Sequence, residues 1–133
     1  MADWGDLKAY IKDNYTVSED YGDGLTLEFR LRGGRAQMVS VSHRVVRTGN
    51  RETEHWCLVE SPFGVYGEVD LRRALTLVGN LPCGGVGMYQ DFVTLRDAIP
   101  LENLDLNEFE RPLALITASA DDLEGMLTGT DEF

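Results

Sequence analysis

The sequence predicts an α+β domain in which helices pack on a five-stranded, mostly antiparallel sheet, in the order α-β-β-β-α-β-β-α. Strict alternation of apolar and polar residues from position 25 predicts a strand that leads into a hairpin. A stripe of apolar residues spaced three and four apart predicts a long helix near the other end of the chain. Between them, a glycine-rich stretch separates a short helix from a second hairpin.

A first helix is predicted over about residues 3–13. Trp4, Leu7 and Ile11 follow i, i+3, i+7 spacing, which places them on one helical face. The following stretch, residues 14–24, is polar and ends in an Asp-Gly turn signal. It is therefore predicted to be a connection without a strand.

Three strands of an antiparallel meander are predicted next. Residues 25–32 alternate strictly, and Gly33-Gly34 can adopt positive φ at both positions of a tight two-residue turn. The return strand covers about residues 36–45. A third strand over residues 56–60 is predicted to stop at Ser61-Pro62, because proline cannot donate to a ladder.

The second half is predicted to contain a helix, a hairpin and a final helix. Asp70 is the predicted N-cap of a helix over residues 71–79, and two strands surround Gln90-Asp91. Asp105 has the offset of a cap for the last helix, in which Pro112 predicts a kink or a later start. The predicted buried stripe of the short helix is Leu71, Ala74, Leu75 and Val78. That of the long helix is Phe109, Leu113, Ile116, Ala120, Leu123 and Leu127.

The length of the chain predicts a single domain over residues 1–133, and its composition is that of an ordinary globular protein. Apolar residues make up 43% of the chain and charged residues 26%, and no run of 18 apolar residues occurs. The N-terminus is acidic where a signal peptide would be basic and then apolar. A cytoplasmic location is therefore expected, with Cys57 and Cys83 as free thiols.

The net charge of −11 is concentrated near the C-terminus, where residues 101–133 hold nine acids and one base. Nucleic acid is not expected to be a partner, because binding to phosphates requires clusters of lysine and arginine. The acidic region is interpreted either as a solvated face or as a docking surface for a basic partner. In particular, Asp121, Asp122 and Glu124 are predicted to be the solvated edge of the last helix.

No residue pattern predicts a metal site, a cofactor or a catalytic centre. His55 and Cys57 share one strand face, but they lack the paired spacing typical of zinc ligands. The glycines at positions 84, 85 and 87 are followed by a strand, without the Gly-Lys-Ser/Thr of a phosphate loop. The chain is therefore expected not to be an enzyme.

The element order resembles that of type III secretion chaperones of the CesT kind and of YbjN-like proteins, over about residues 3–127. Four local sequences carry the resemblance: Ser61-Pro62-Phe63-Gly64, the leucine-rich segment 75–80, the glycine-containing hairpin 85–95, and Ala120-Asp121-Asp122-Leu123-Glu124. The resemblance implies a cytoplasmic, acidic, usually homodimeric protein that clasps an extended partner segment, or a regulator as described for YbjN-like members. Leu77, which lies off the predicted core stripe, and Leu81 are the predicted dimer contacts.

The predicted partner-binding residues are Arg30, Arg32, Arg35 and Arg44. Arg30 and Arg32 are placed on the polar face of the first strand, and Arg35 follows its turn. They are interpreted as a solvated face, as a site for an acidic partner segment, or as contacts to the acidic last helix of a second subunit. The leading function is a protein-binding module whose partner lies on the sheet and its edges. The alternative is an acidic inhibitor, or immunity-type protein, that neutralises a basic enzyme or toxin.

Overall fold

The structure, a computed structural model, describes residues 3–50 and 52–127, except for the side chain of Arg32. Within these residues the element order is α1-β1-β2-β3-β4-α2-β5-β6-α3. The helices are α1 (Trp4–Asn14), α2 (Leu71–Val78) and α3 (Leu106–Leu127). The strands are β1 (Val17–Asp20), β2 (Gly24–Arg30), β3 (Ala36–Arg47), β4 (Thr53–Val65), β5 (Gly85–Tyr89) and β6 (Phe92–Pro100).

The α+β class and the antiparallel sheet are confirmed, but the prediction of five strands is wrong. The described part of the chain forms a six-stranded sheet in the order β1-β2-β3-β4-β6-β5, with every neighbouring pair antiparallel. The additional strand, β1, lies within the predicted polar connection. Its four residues are mostly exposed, and its pairing with β2 is irregular between Val17 and Glu19. An edge strand of this kind has no apolar alternation from which it could be predicted.

Ion pairs attach β1 to α1, in addition to the packing of Val17 on the core. Asp20 accepts from Lys8 at 3.0 Å and from Lys12, and its carboxylate also accepts from the Gly22 amide. The Lys12 ammonium, the Gly22 amide and the Lys8 ammonium hold the pKa of the Asp20 carboxyl below its usual range. The strand is therefore fixed by polar contacts between residues far apart in the sequence.

The turn between β2 and β3 is longer than the predicted two-residue turn. Residues Arg32–Gly34 form a short 3-10 turn, closed by a hydrogen bond from the Leu31 amide to the Arg35 carbonyl at 2.8 Å. Gly33 and Gly34 do have the predicted positive φ angles, 77° and 78°. Because β2 ends at Arg30, Arg32 lies in this turn, not on the strand face.

The third predicted strand does not stop at Pro62, because β4 continues to Val65. The Pro62 carbonyl accepts from Gln37 Nε2 of β3 at 2.9 Å. In an extended strand, the backbone nitrogen and the carbonyl of one residue point to the same neighbouring strand, so the Pro62 nitrogen also faces β3. The backbone pairs of β3 with β4 end at Ser40 and Glu60, so the missing N–H of Pro62 removes no ladder hydrogen bond. The proline is tolerated where one ladder has already ended.

The predicted helix caps are confirmed. The Asp70 carboxylate accepts from the Arg73 amide at 3.1 Å, and the Asp105 carboxylate accepts from the Glu108 amide at 3.0 Å. Such a cap contributes about 1 kcal/mol. The last helix begins at Leu106, so the predicted later start after Pro112 is wrong.

Helix α2 presents a different apolar face from the predicted one. Ala74 and Val78 are buried as expected, but Leu75 is 58% exposed. Leu77 and Leu81 are instead partly buried against the core, so the premise that Leu77 lies off the core face is wrong. The helix has only two turns, and a small rotation decides which leucine faces inward.

A single cluster of buried residues connects the three helices to one face of the sheet. Phe109, Leu113, Ile116, Ala120 and Leu123 of α3 are all buried, as predicted. Between the helices, Glu110 of α3 accepts hydrogen bonds from the hydroxyls of Tyr10 and Tyr15. In the described part of the chain, no helix is long and apolar enough to cross a membrane.

Candidate functional site

The candidate site is the sheet face opposite the helices, here called the open face. Side chains of β3 alternate between the two faces: Val39 and Val41 are buried in the core, whereas Met38, Ser40 and Ser42 are only partly buried. Within residues 3–50 and 52–127, all three helices contribute to the core on the other side. No described helix packs on the open face, which makes this face the candidate surface for another molecule.

A cleft of about 520 Å³ lies on the open face, and it is here called the open-face cleft. Its volume is in the range of sites that hold a small molecule or a few side chains. The residues that line it include Glu19, Tyr21, Thr26, Met38, Ser40, Ser42, Arg44, Glu60, Pro62, Tyr89, Phe92 and Thr94.

The lining residues show that the sheet is strongly curved. Tyr21 follows the edge strand β1, and Tyr89 ends the opposite edge strand β5, yet both line the same cleft. Both rings are largely exposed, and the Tyr21 hydroxyl donates to the Glu19 carboxylate. Twist accumulated over six strands brings the two edges toward each other. The cleft thus has an aromatic rim and a polar floor.

Glu60 is the charged residue of the floor and is only 8% exposed. Its Oε2 accepts a hydrogen bond from the Thr94 hydroxyl at 2.7 Å. Among the described residues, no other hydrogen bond and no ion pair reaches this carboxylate. The other oxygen has no donor among the described residues, so Glu60 marks the part of the cleft where a ligand with a donor group can bind.

The four predicted partner-binding arginines do not form one surface. Arg30 is highly exposed and pairs with Glu28 at 3.1 Å, whereas Arg44 lies at the other end of the open face and lines the cleft. Arg35 points to the helices and binds Asp121. The side chain of Arg32 is outside the described residues. Of the four, the structure places Arg44 in the candidate site.

The contact of Arg35 with α3 corrects the prediction that the acids of this helix form a solvated edge. Arg35 donates from Nε to Asp121 Oδ1 at 3.2 Å and from Nη2 to Oδ2 at 2.9 Å. Asp121 and Glu124 are both buried, and Asp122 is exposed. The acidic helix therefore meets an arginine of its own chain, and of the acids at positions 121, 122 and 124 only Asp122 is exposed to a basic partner.

A second cavity, of about 800 Å³, surrounds a histidine pair at the helix side of the sheet. His43 Nε2 and His55 Nδ1 are 2.8 Å apart, and Trp4 of α1 stacks on the His43 ring. The two histidines occupy diagonal positions on β3 and β4, and the strand pairing that brings them together cannot be read from their spacing. Nowhere in the described chain do three or more potential metal ligands cluster.

Neither cysteine is activated as a nucleophile. Both are free thiols. Burial raises the pKa of the Cys57 thiol to about 12. Burial, with the nearby Asp97 carboxylate, also raises the pKa of Cys83. A catalytic cysteine requires the opposite shift, toward the thiolate.

In comparisons with known proteins, no family model matches this sequence, and no curated protein matches it at a significant level.

Proposed function

We propose that the protein is a small non-enzymatic module, chaperone-like or regulatory, that holds an extended segment of a partner protein in the open-face cleft. The single observation that carries the proposal is the cleft itself, on a curved sheet face that no described helix covers, with serine and threonine hydroxyls on its floor and tyrosines on its rim. The resemblance to CesT-like and YbjN-like proteins also implies a protein partner.

Free strand edges at both rims support an extended ligand. In the described sheet, β1 pairs only with β2, and β5 pairs only with β6. Each edge strand therefore has one side whose backbone groups are unpaired within the sheet. A partner segment can hydrogen bond to such an edge through its main chain while its side chains enter the cleft.

Site-specific photocrosslinking in cells tests this proposal. Benzoylphenylalanine in place of the exposed rim residue Tyr89 is expected to crosslink to partner proteins, and the same group at the exposed Ala118 of α3 is the matched control. Digestion of the crosslinked partner should recover one short segment. The proposal fails if Tyr89 yields no partner, or if Ala118 captures the same segment with equal yield.

An acidic inhibitor of a basic protein is the second candidate, and the net charge of −11 favours it. The same experiment separates the two functions. Crosslinks from Ala118 to a folded basic protein, without crosslinks from Tyr89, would support the inhibitor. An enzyme blocked by the purified chain at a stoichiometry of one would support it further.

Pairing of two copies is also proposed, as implied by the resemblance. Leu75 is the exposed leucine of α2, and a two-fold contact on this helix would bury it on both chains. Leu77 and Leu81 contribute less surface, because they already pack on the core. Light scattering at micromolar concentration is expected to give twice 14.8 kDa, reduced by Leu75→Glu and not by Ala118→Glu. A mass of 14.8 kDa at every concentration would exclude the dimer.

A further inference from the structure

We infer that the open-face cleft selects a lysine or arginine side chain, whose cationic group binds the Glu60 carboxylate. This inference rests on the proposed function, because it assigns the chemistry of the partner segment. It differs from the sequence-based expectation, which placed arginines of this chain against an acidic partner segment.

The Glu60 side chain is built to receive a donor. It is only 8% exposed and sits at the junction of β3, β4 and β6, opposite Ser40 on one side and Arg96 on the other. Thr94 fixes Oε2 through a hydrogen bond of 2.7 Å. Among described side chains, Oε1 has no donor, so the carboxylate is oriented and half satisfied. An incoming ammonium or guanidinium would supply the missing hydrogen bond and compensate the buried charge.

Two arginines of the open face, Arg96 and Arg44, form no ion pair with Glu60. Arg96 is its cross-strand neighbour on β6, but the Arg96 chain lies over Gly87, where an added Cβ would come within 2.6 Å of Arg96 Cδ. Arg44 lies four residues from Ser40 along β3, roughly 13 Å away at the usual rise per residue, and donates to Ser42 Oγ.

The walls of the cleft suit the stem of a long cationic side chain. Met38 and Phe92 supply apolar surface, and the exposed ring of Tyr89 lies at the rim. Lysine and arginine bury their methylene stems on such surface while their charged heads reach a polar partner. An aromatic ring at the rim adds cation–π attraction to an approaching cation. An acidic side chain would gain no cation–π attraction and, beside Glu60, would face a carboxylate of the same charge.

The test uses small probes, so that it does not depend on an identified partner. The lysine probe is Nα-acetyl-lysine methylamide, and Nα-acetyl-norleucine methylamide is its uncharged match. Each is titrated into isotope-labelled protein and followed by NMR. The lysine probe is expected to bind about ten- to one-hundredfold more tightly, with shifts at Glu60, Thr94 and Ser40. Glu60→Gln should abolish the difference, because an amide still accepts from Thr94 but carries no charge.

Glu28→Gln is the control, because Glu28 lies on the same open face but already pairs with Arg30 at 3.1 Å. This variant should keep the preference for the lysine probe. The inference would be overturned if the wild-type protein bound the lysine and norleucine probes with equal affinity. An unchanged preference for the lysine probe in Glu60→Gln would overturn it as well. If that happens while Tyr89 still crosslinks to a partner segment, the proposed function stands alone. If the protein prefers the lysine probe but Tyr89 crosslinks to no partner, the cation site at Glu60 is supported and the proposed protein-binding function is refuted.

Discussion

Replacing Phe109 by alanine is expected to lower the free energy of unfolding by about 3–5 kcal/mol. Phe109 is fully buried in the first turns of α3 and belongs to the core cluster that joins the helices to the sheet. Truncation removes apolar contacts and leaves a cavity that the surrounding strands cannot fill. Urea unfolding followed by circular dichroism measures the loss, which is a large part of the stability of an ordinary domain.

Leu106→Ala is the matched control for this prediction. Leu106 begins the same helix but is 39% exposed, so its truncation should cost less than about 1 kcal/mol. Similar losses for Phe109→Ala and Leu106→Ala would mean that α3 does not dock on the sheet through the described face.

Arg35→Met is expected to lower the free energy of unfolding by about 1–3 kcal/mol. The substitution keeps an apolar stem but removes both hydrogen bonds to Asp121, whose side chain is 7% exposed. A buried carboxylate that loses its partner keeps its desolvation penalty. The loss stays below that of a fully buried pair, because the Arg35 side chain is 47% exposed and solvent screens part of the interaction.

A double-mutant cycle with Asp121→Asn isolates the pair, and Arg30→Met is the exposed control. Arg30 also pairs with a carboxylate, but its side chain is 78% exposed, so its loss should cost at most about 0.5 kcal/mol. Additive effects of Arg35→Met and Asp121→Asn would show that the two side chains do not interact in solution.

The elements predicted correctly are those whose signal lies within one segment. The alternation of β2 and β3, the caps at Asp70 and Asp105, and the apolar stripe of α3 are local patterns, and each is found in the structure. The missed features depend on distant partners. β1 is held by lysines of α1, and β4 passes Pro62 because its ladder with β3 has already ended at Glu60.

The candidate site could be predicted only in part, for the same reason. The serines at positions 40 and 42 mark one face of β3 as polar, and that much is visible in the alternation. The sequence does not show that this face is curved, or that Tyr21 and Tyr89 from opposite edges line one cleft. In the sequence, Glu60 has the features of an ordinary residue at the end of a strand. Its role depends on Thr94 of β6, which the fold places beside it. The partner of Glu60, Thr94, is 34 residues away, and the partner of Arg35, Asp121, is 86 residues away, so neither contact is visible in the sequence.

The measurement that tests the central claim most directly is a map of backbone amide shifts on addition of the partner segment recovered by crosslinking. Binding in the open-face cleft predicts that the perturbed amides cluster at Thr26, Ser40, Ser42 and Thr94, on strands from β2 to β6, and that the exposed side of α3 is silent. Perturbations confined to α2 and α3, with these strand amides unchanged, would contradict the account.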